Sequence, residues 1–156
     1  MKTEYIDKLI NSCETAKHIV PIREFELQAM DDLDGVSQAI YIIEEINGDI
    51  CQTSTDFARY KEKKKRACPK DNKAPSSIMY VGSSTTNVRT RIKQHQGYGD
   101  NTKTYALHLK HWFKGDYKIT VQEYSDDLDK EVLQILEDNL SYNLKPAFGK
   151  KGGNNK

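Results

Sequence analysis

Three short runs constrain this chain most. AIYIIEEI (39–46), SIMYVG (77–82) and YKITVQEY (117–124) each carry strand character. The first is apolar on both faces where it starts and runs into the turn residues Asn47-Gly48. The third alternates and follows Gly115-Asp116. Helical patterns lie around them. Tyr5, Ile6, Leu9, Ile10 and Cys13 recur at helical spacing, which predicts a helix over about 3–18. Val88 and Ile92 share a stripe in a short helix from about Asn87 to His95, ended by the turn QGYGD. TYALHLKHWF (104–113) reads as a second helix after the middle strand, with Ala106, Leu107 and Phe113 packing and Trp112 in the core. The firmest helix is SDDLDKEVLQILEDNL (125–140), in which Leu128, Val132, Leu136 and Leu140 repeat every fourth residue and Asp126 or Asp127 can cap the start. IREFELQAM, after Pro21, fits a short helix or an extended stretch equally well, and Asp31 to Gly35 is a turn. The order predicts a small α+β domain built on a short sheet.

With 156 residues, a single domain with a real core is expected. The parts are an N-terminal helical extension (1–37), the main domain (38–149) with a basic insertion at 51–76, and a flexible basic tail (150–156). No apolar stretch approaches the roughly 20 residues of a membrane span, so no membrane role is expected. The N-terminal segment has acidic residues and no continuous apolar core, unlike a signal peptide. Cys13, Cys51 and Cys68 are odd in number and without CxxC spacing. They argue for a reducing compartment, the cytoplasm, and against a cysteine zinc site.

Charge is where function first shows. The net charge is +1, yet residues 1–50 hold eleven acidic side chains and four basic ones, a balance of −7. FARYKEKKKRACPKDNK (57–73) holds eight basic and two acidic, a balance of +6. Such a run is either a solvated face or a segment that contacts phosphates. Lys61, Lys63, Lys64, Lys65 and Arg66 are its candidate DNA contacts, joined by Arg89, Lys93, Lys145 and Lys150 elsewhere.

One corner gathers residues with chemistry. In MYVGSSTTNVRTRIKQH (79–95), Tyr80 ends a strand, and Arg91 and His95 sit one helical turn apart at the border of the Val88–Ile92 stripe. Glu137 lies at the edge of the apolar stripe of the last helix. Taken singly, the tyrosines suit core filling, and Arg91 with Glu137 suits a structural ion pair. His108 and His111, three residues apart without a third ligand nearby, suit packing or surface roles.

Together the residues resemble the GIY-YIG nuclease superfamily. Ala39-Ile40-Tyr41 stands on one strand and Tyr80-Val81-Gly82 on the next. Arg91 and His95 follow in Arg-x-x-x-His spacing, and Glu137 precedes Pro146 by nine residues in a Leu-Lys-Pro setting. The resemblance covers about residues 38–149. It implies a three-stranded antiparallel sheet flanked by helices, and a divalent-metal-dependent DNA endonuclease of restriction-like or mobile-element type. Glu137 would hold one Mg²⁺ or Mn²⁺ per site, and Arg91 would bind the phosphate. Tyr41 would act as general base or as a relay to it, His95 would receive its proton, and Tyr80 would orient water or phosphate. DNA is the implied partner, with a homodimer as one route to cutting both strands. Three departures stand out. Ala39 replaces the family's usual Gly, and the two tyrosines are 39 residues apart because of the basic insertion. Gly149 occupies the position of the family's Asn, for which Asn143 or Asn154 could substitute. The competing readings are a non-catalytic nucleic-acid-binding module that keeps the fold, and a structural protein whose basic insertion docks an acidic partner.

Overall fold

The computed structural model describes residues 1–150, in α+β architecture. Four α-helices are present among them: α1 (Glu4–His18), α2 (Ile50–Glu62), α3 (Val88–Gln96) and α4 (Lys130–Leu144). The strands are β1 (Arg23–Glu26), β2 (Gln38–Ile46), β3 (Ile78–Ser84) and β4 (Asp116–Tyr124). The sheet has four strands, not three, all antiparallel, in the order β1-β4-β2-β3.

The additional strand is β1. Arg23–Glu26 pairs with Glu123–Thr120 of β4, which settles the open reading of IREFELQAM as extended. Phe25 and Leu27 alternate onto the core side. Residues 1–37 are therefore more than a helical extension, because they supply one edge of the main sheet.

β2 is central, bonded to β3 on one side and β4 on the other. That position explains why its first half is apolar on both faces. Ile40 joins a cluster with Val81, Leu133 and the α4 residues Leu136 and Leu140. Tyr41 and Ile43 face the other way, into a cluster with Phe57, Val88, Ile92, Leu107 and Phe148. Tyr41 stands opposite Gly82 and Ile43 opposite Tyr80. The two-residue alternation thus puts both tyrosines on one face of the sheet.

α2 occupies the start of the basic insertion, capped by the Asp49 carboxylate, which accepts from the amides of Cys51 and Gln52. The insertion then does structural work. Residues 147–148 run along the outer edge of β3, with the amides of Ala147 and Phe148 donating to the carbonyls of Ile78 and Met79. The Asn72 amide donates to Ala147 O, and the Gly149 amide donates to Lys70 O. The edge of β3 is covered in this way, first by the C-terminal segment and then by the insertion.

α4 begins at Lys130, five residues later than the leucine pattern predicts, because Asp129, and neither Asp126 nor Asp127, caps it by accepting from the Glu131 amide. The helix expected over 104–113 does not form; only a 3-10 turn at Leu109–His111 does. Its backbone is committed elsewhere. The Tyr105 carbonyl accepts from Arg91, the Leu107 amide donates to His95, and the Ala106 amide donates to Ala67 O. His108 adopts left-handed backbone and donates from Nε2 to Ala67 O. In an α-helix the Tyr105 carbonyl would instead accept from the Leu109 amide.

Candidate active site

Four of the residues singled out in the sequence, Tyr41, Tyr80, Arg91 and His95, converge where β2, β3 and α3 meet, and the charge of Glu137 reaches the two tyrosines from α4. Tyr41 is fully buried, and its Oη lies 3.0 Å from His95 Nε2. The Tyr41 and Tyr80 ring centroids are 6.4 Å apart, and those of Tyr80 and His95 are 4.4 Å apart. Gly82 makes this packing possible. A Cβ there would stand 2.6 Å from the Tyr41 hydroxyl and 2.7 Å from the Tyr80 ring.

His95 lies within the buried stripe of α3, not at its border, and is fully buried. Its Nδ1 accepts the Leu107 amide at 3.1 Å. An amide N–H can only donate, so Nδ1 carries the lone pair and the neutral ring carries its proton on Nε2. Nε2–H therefore donates to Tyr41 Oη. Burial holds the His95 pKa well below its usual value, and the nearby positive charge of Arg91 pushes the same way. His95 is consequently placed as a fixed donor to Tyr41. The role expected from the sequence, receiving the Tyr41 proton, does not fit a nitrogen that already bears one.

Arg91 is half-buried on α3. It donates to Gln94 Oε1 at 3.0 Å and to the Tyr105 carbonyl at 2.6 Å. Burial raises the pKa of both tyrosines, and the Arg91 charge opposes that rise at each. The expected alternative of an Arg91–Glu137 ion pair is not what forms. Arg91 bonds neutral groups, while Glu137 Oε2 takes Lys150 Nζ at 3.6 Å and Gln134 Nε2 at 2.8 Å. A guanidinium held by a carbonyl and an amide, without a carboxylate, keeps its charge available to an anion.

Glu137 is buried on α4, and its negative charge reaches both Tyr41 and Tyr80, opposing their ionisation. Lys150 bridges it to Asp138, whose Oδ1 is 3.7 Å from Nζ. Among the described residues no group of three or more His, Cys, Asp or Glu side chains is placed to enclose a metal ion. The donor set does suit one hard cation bound by a single carboxylate with most of its waters retained. The ammonium of Lys150 marks a place beside Oε2 where positive charge is already accommodated.

The candidate DNA contacts divide. Lys63, Lys64 and Lys65 are exposed at the end of α2 and just past it, and Lys93 and Lys145 are exposed as well. Lys61 donates to Pro69 O and Arg66 to Tyr60 Oη, with both side chains half-buried. Arg89 is occupied by Asp34 and the Met30 carbonyl, and Lys150 by Glu137. These two serve the protein's own framework.

Four partners escaped the sequence reading: Gln134, Asn72, the Tyr105 carbonyl and the Leu107 amide. Gln134, one helical turn before Glu137, is the one that spacing could have disclosed. Asn72 Nδ2 donates to Pro146 O and Gly149 O, so it braces the C-terminal segment that passes Tyr80. Gly149 itself has φ +84°, and a Cβ there would meet the Tyr80 ring at 2.7 Å. Asn143 is exposed on α4, and Asn154 lies outside the described residues, as does the tail from 151 onward.

Comparison of the chain with models of protein families, with curated proteins and with solved structures finds no match. No helix among the described residues is long and apolar enough to cross a membrane.

Proposed function

We propose that this chain is a divalent-metal-dependent endodeoxyribonuclease of the GIY-YIG type, restriction-like or from a mobile element, that hydrolyses DNA phosphodiester bonds. The observation that carries the reading is the convergence of Tyr41, Tyr80, Arg91 and His95 within the field of the buried Glu137. A protein that only bound nucleic acid would have no need of a buried Tyr–His pair beside an arginine without a carboxylate.

Glu137 would hold the Mg²⁺ or Mn²⁺, with Gln134 fixing its carboxylate. When bound, the ion supplies Lewis-acid polarisation of the phosphate and stabilises the departing 3′ oxygen. Arg91 takes the non-bridging phosphoryl oxygens as their charge grows. Tyr80, partly buried where Tyr41 is fully so, takes the outer position against the attacking water. Tyr41 lies behind it, fully buried: its oxygen receives the Nε2–H of His95, which leaves its own hydroxyl proton free to point toward Tyr80 and the phosphate. To accept the proton of the attacking water, Tyr80 would first give up its own to solvent, and the Arg91 charge would help to hold the phenolate so formed against the rise that burial imposes. Neutral His95 serves better here than a charged one, because it keeps its donor aimed without competing for the proton.

Cutting both strands with one such cluster per chain requires a homodimer or two successive nicks. The location that fits this reading is the cytoplasm, where Cys13, Cys51 and Cys68 would stay reduced.

The test is incubation of supercoiled plasmid with Mg²⁺ or with chelator, beside the Glu137→Ala variant. Metal-dependent nicking or linearisation that the variant lacks supports the nuclease. Retardation of DNA without cleavage, by folded wild-type protein, replaces it with the binding module.

A further inference from the structure

An open cavity of about 790 Å³ lies beside the corner that gathers Tyr41, Tyr80, Arg91 and His95, and not in it. Its walls come from the end of α2, the loop after it and the 102–105 segment. Six of the side chains lining it are cationic, among them Lys64, Lys65, Arg66 and Lys70, against two acidic ones, Glu62 and Asp71. The floor is apolar, formed by Ala58, Ala67 and Cys68, and Tyr105 stands on the wall with 65% of its surface exposed.

Two hydrogen bonds tie this cavity to the chemistry. The Tyr105 carbonyl holds Arg91, and the Lys70 carbonyl holds the amide of Gly149, next to the Lys150 that pairs with Glu137. Tyr105, which lines the cavity, is thus bonded directly to the arginine that would grip the phosphate.

We propose that the cavity receives an unpaired nucleotide of the substrate strand, so that the preferred substrate is single-stranded DNA or a junction with a single-stranded arm. This rests on the nuclease reading and narrows its substrate. Volume, charge and lining each favour this occupant. A volume of this order suits a small-molecule-sized guest, which an unstacked base with its sugar matches and a base-paired duplex does not. An excess of lysine and arginine at the rim tracks the backbone phosphates. An exposed aromatic ring beside an apolar floor offers a base a stacking partner that is indifferent to sequence.

The experiment is fluorescence anisotropy with a labelled single-stranded oligonucleotide and with its matching duplex, in the presence of chelator so that no cleavage occurs. Wild-type protein should bind the single strand more tightly. Tyr105→Ala should weaken that binding roughly tenfold and leave duplex binding unchanged, whereas Tyr105→Phe, which keeps the stacking face, should bind as wild type. Equal affinity of the wild type for the two forms overturns the proposal. So does a Tyr105→Ala loss that is nil or shared by both forms. Because binding is read without metal, failure of the plasmid assay would sink the nuclease reading and leave this result standing on its own.

Discussion

The Tyr41 hydroxyl and the His95 imidazole are joined at 3.0 Å in the buried floor of the site, and the Leu107 amide on the far side of the ring decides which of them donates. This three-part chain fixes a neutral histidine. In the folded protein His95 resists protonation, whereas in the unfolded chain it titrates near 6.5. Below that pH the unfolded state binds the extra proton and the folded state does not. Stability is therefore full above about pH 6.5 and falls as the pH drops from there toward the depressed folded value. His108 shifts in the same direction through burial. Urea midpoints measured from pH 8 to pH 5 should decline below 6.5, and His95→Gln should flatten the decline although it lowers stability at neutral pH. A slope identical in the variant would show that His95 is not the group being titrated.

The order of the two tyrosines sets a second expectation. Tyr80→Phe removes the hydroxyl nearest the water and should lower the cleavage rate by about 10²–10⁴, the usual scale for a lost proton-transfer group. Tyr41→Phe should cost less in rate but more in stability, about 1–3 kcal/mol, because it strands the buried Nε2–H of His95. Single-turnover rates and thermal unfolding of both variants would check the pair. A larger rate loss in Tyr41→Phe returns Tyr41 to the position of direct base.

Gly82→Ala tests the packing that brings the rings together. The added methyl would overlap the Tyr41 hydroxyl and the Tyr80 ring and force both to shift. Overpacking of this kind destabilises by about 1–3 kcal/mol, and a displacement near 1 Å at a reacting group can cost about a hundredfold in rate. Cleavage should thus fall much further than stability alone accounts for, as a rate assay at a temperature where the variant is fully folded would reveal.

Lys150 makes a prediction about the metal. Its ammonium stands 3.6 Å from Glu137 Oε2, close enough to oppose a second cation at that oxygen. Lys150→Met should therefore tighten Mn²⁺ binding severalfold, and Glu137→Gln should abolish it, as read by calorimetric titration in the absence of DNA. Weaker binding in Lys150→Met would mean that the lysine supports the carboxylate instead of competing for it.

Much of this arrangement was legible because it rests on local pattern. Tyr41 and Tyr80 share a face through the alternation of two strands, and the Val88–Ile92 stripe orients α3 by helical period alone. Where reading failed, long-range bonds had overridden local pattern. YALHLKHW has helical spacing, yet several of its amides and carbonyls are taken by His95, Arg91, Ala67 and Trp112. REFE is too short to declare itself before β4 is there to pair with it. Asn72 looks like a loop residue until the C-terminal segment passes within 3.0 Å of it. Spacing alone puts His95, three residues after Ile92, at the border of the apolar stripe, and the Leu107 amide that makes its full burial tolerable lies twelve residues further on.

The exposed lysines give the last prediction. Lys63, Lys64 and Lys65 extend from the end of α2 with no part in the core, so their replacement should not disturb folding. If each meets one phosphate, binding releases about one counterion per contact, and the logarithm of affinity falls with the logarithm of salt in proportion. Reversing all three to glutamate should weaken DNA binding and reduce the magnitude of that slope by up to about 3. Arg89→Glu offers the contrast. Arg89 is already paired with Asp34, so its reversal should lower stability through repulsion and leave the salt slope nearly untouched. Anisotropy titrations over a range of salt concentrations would separate the two outcomes, and an unchanged slope in the triple variant would make the lysine run a solvated surface and nothing more.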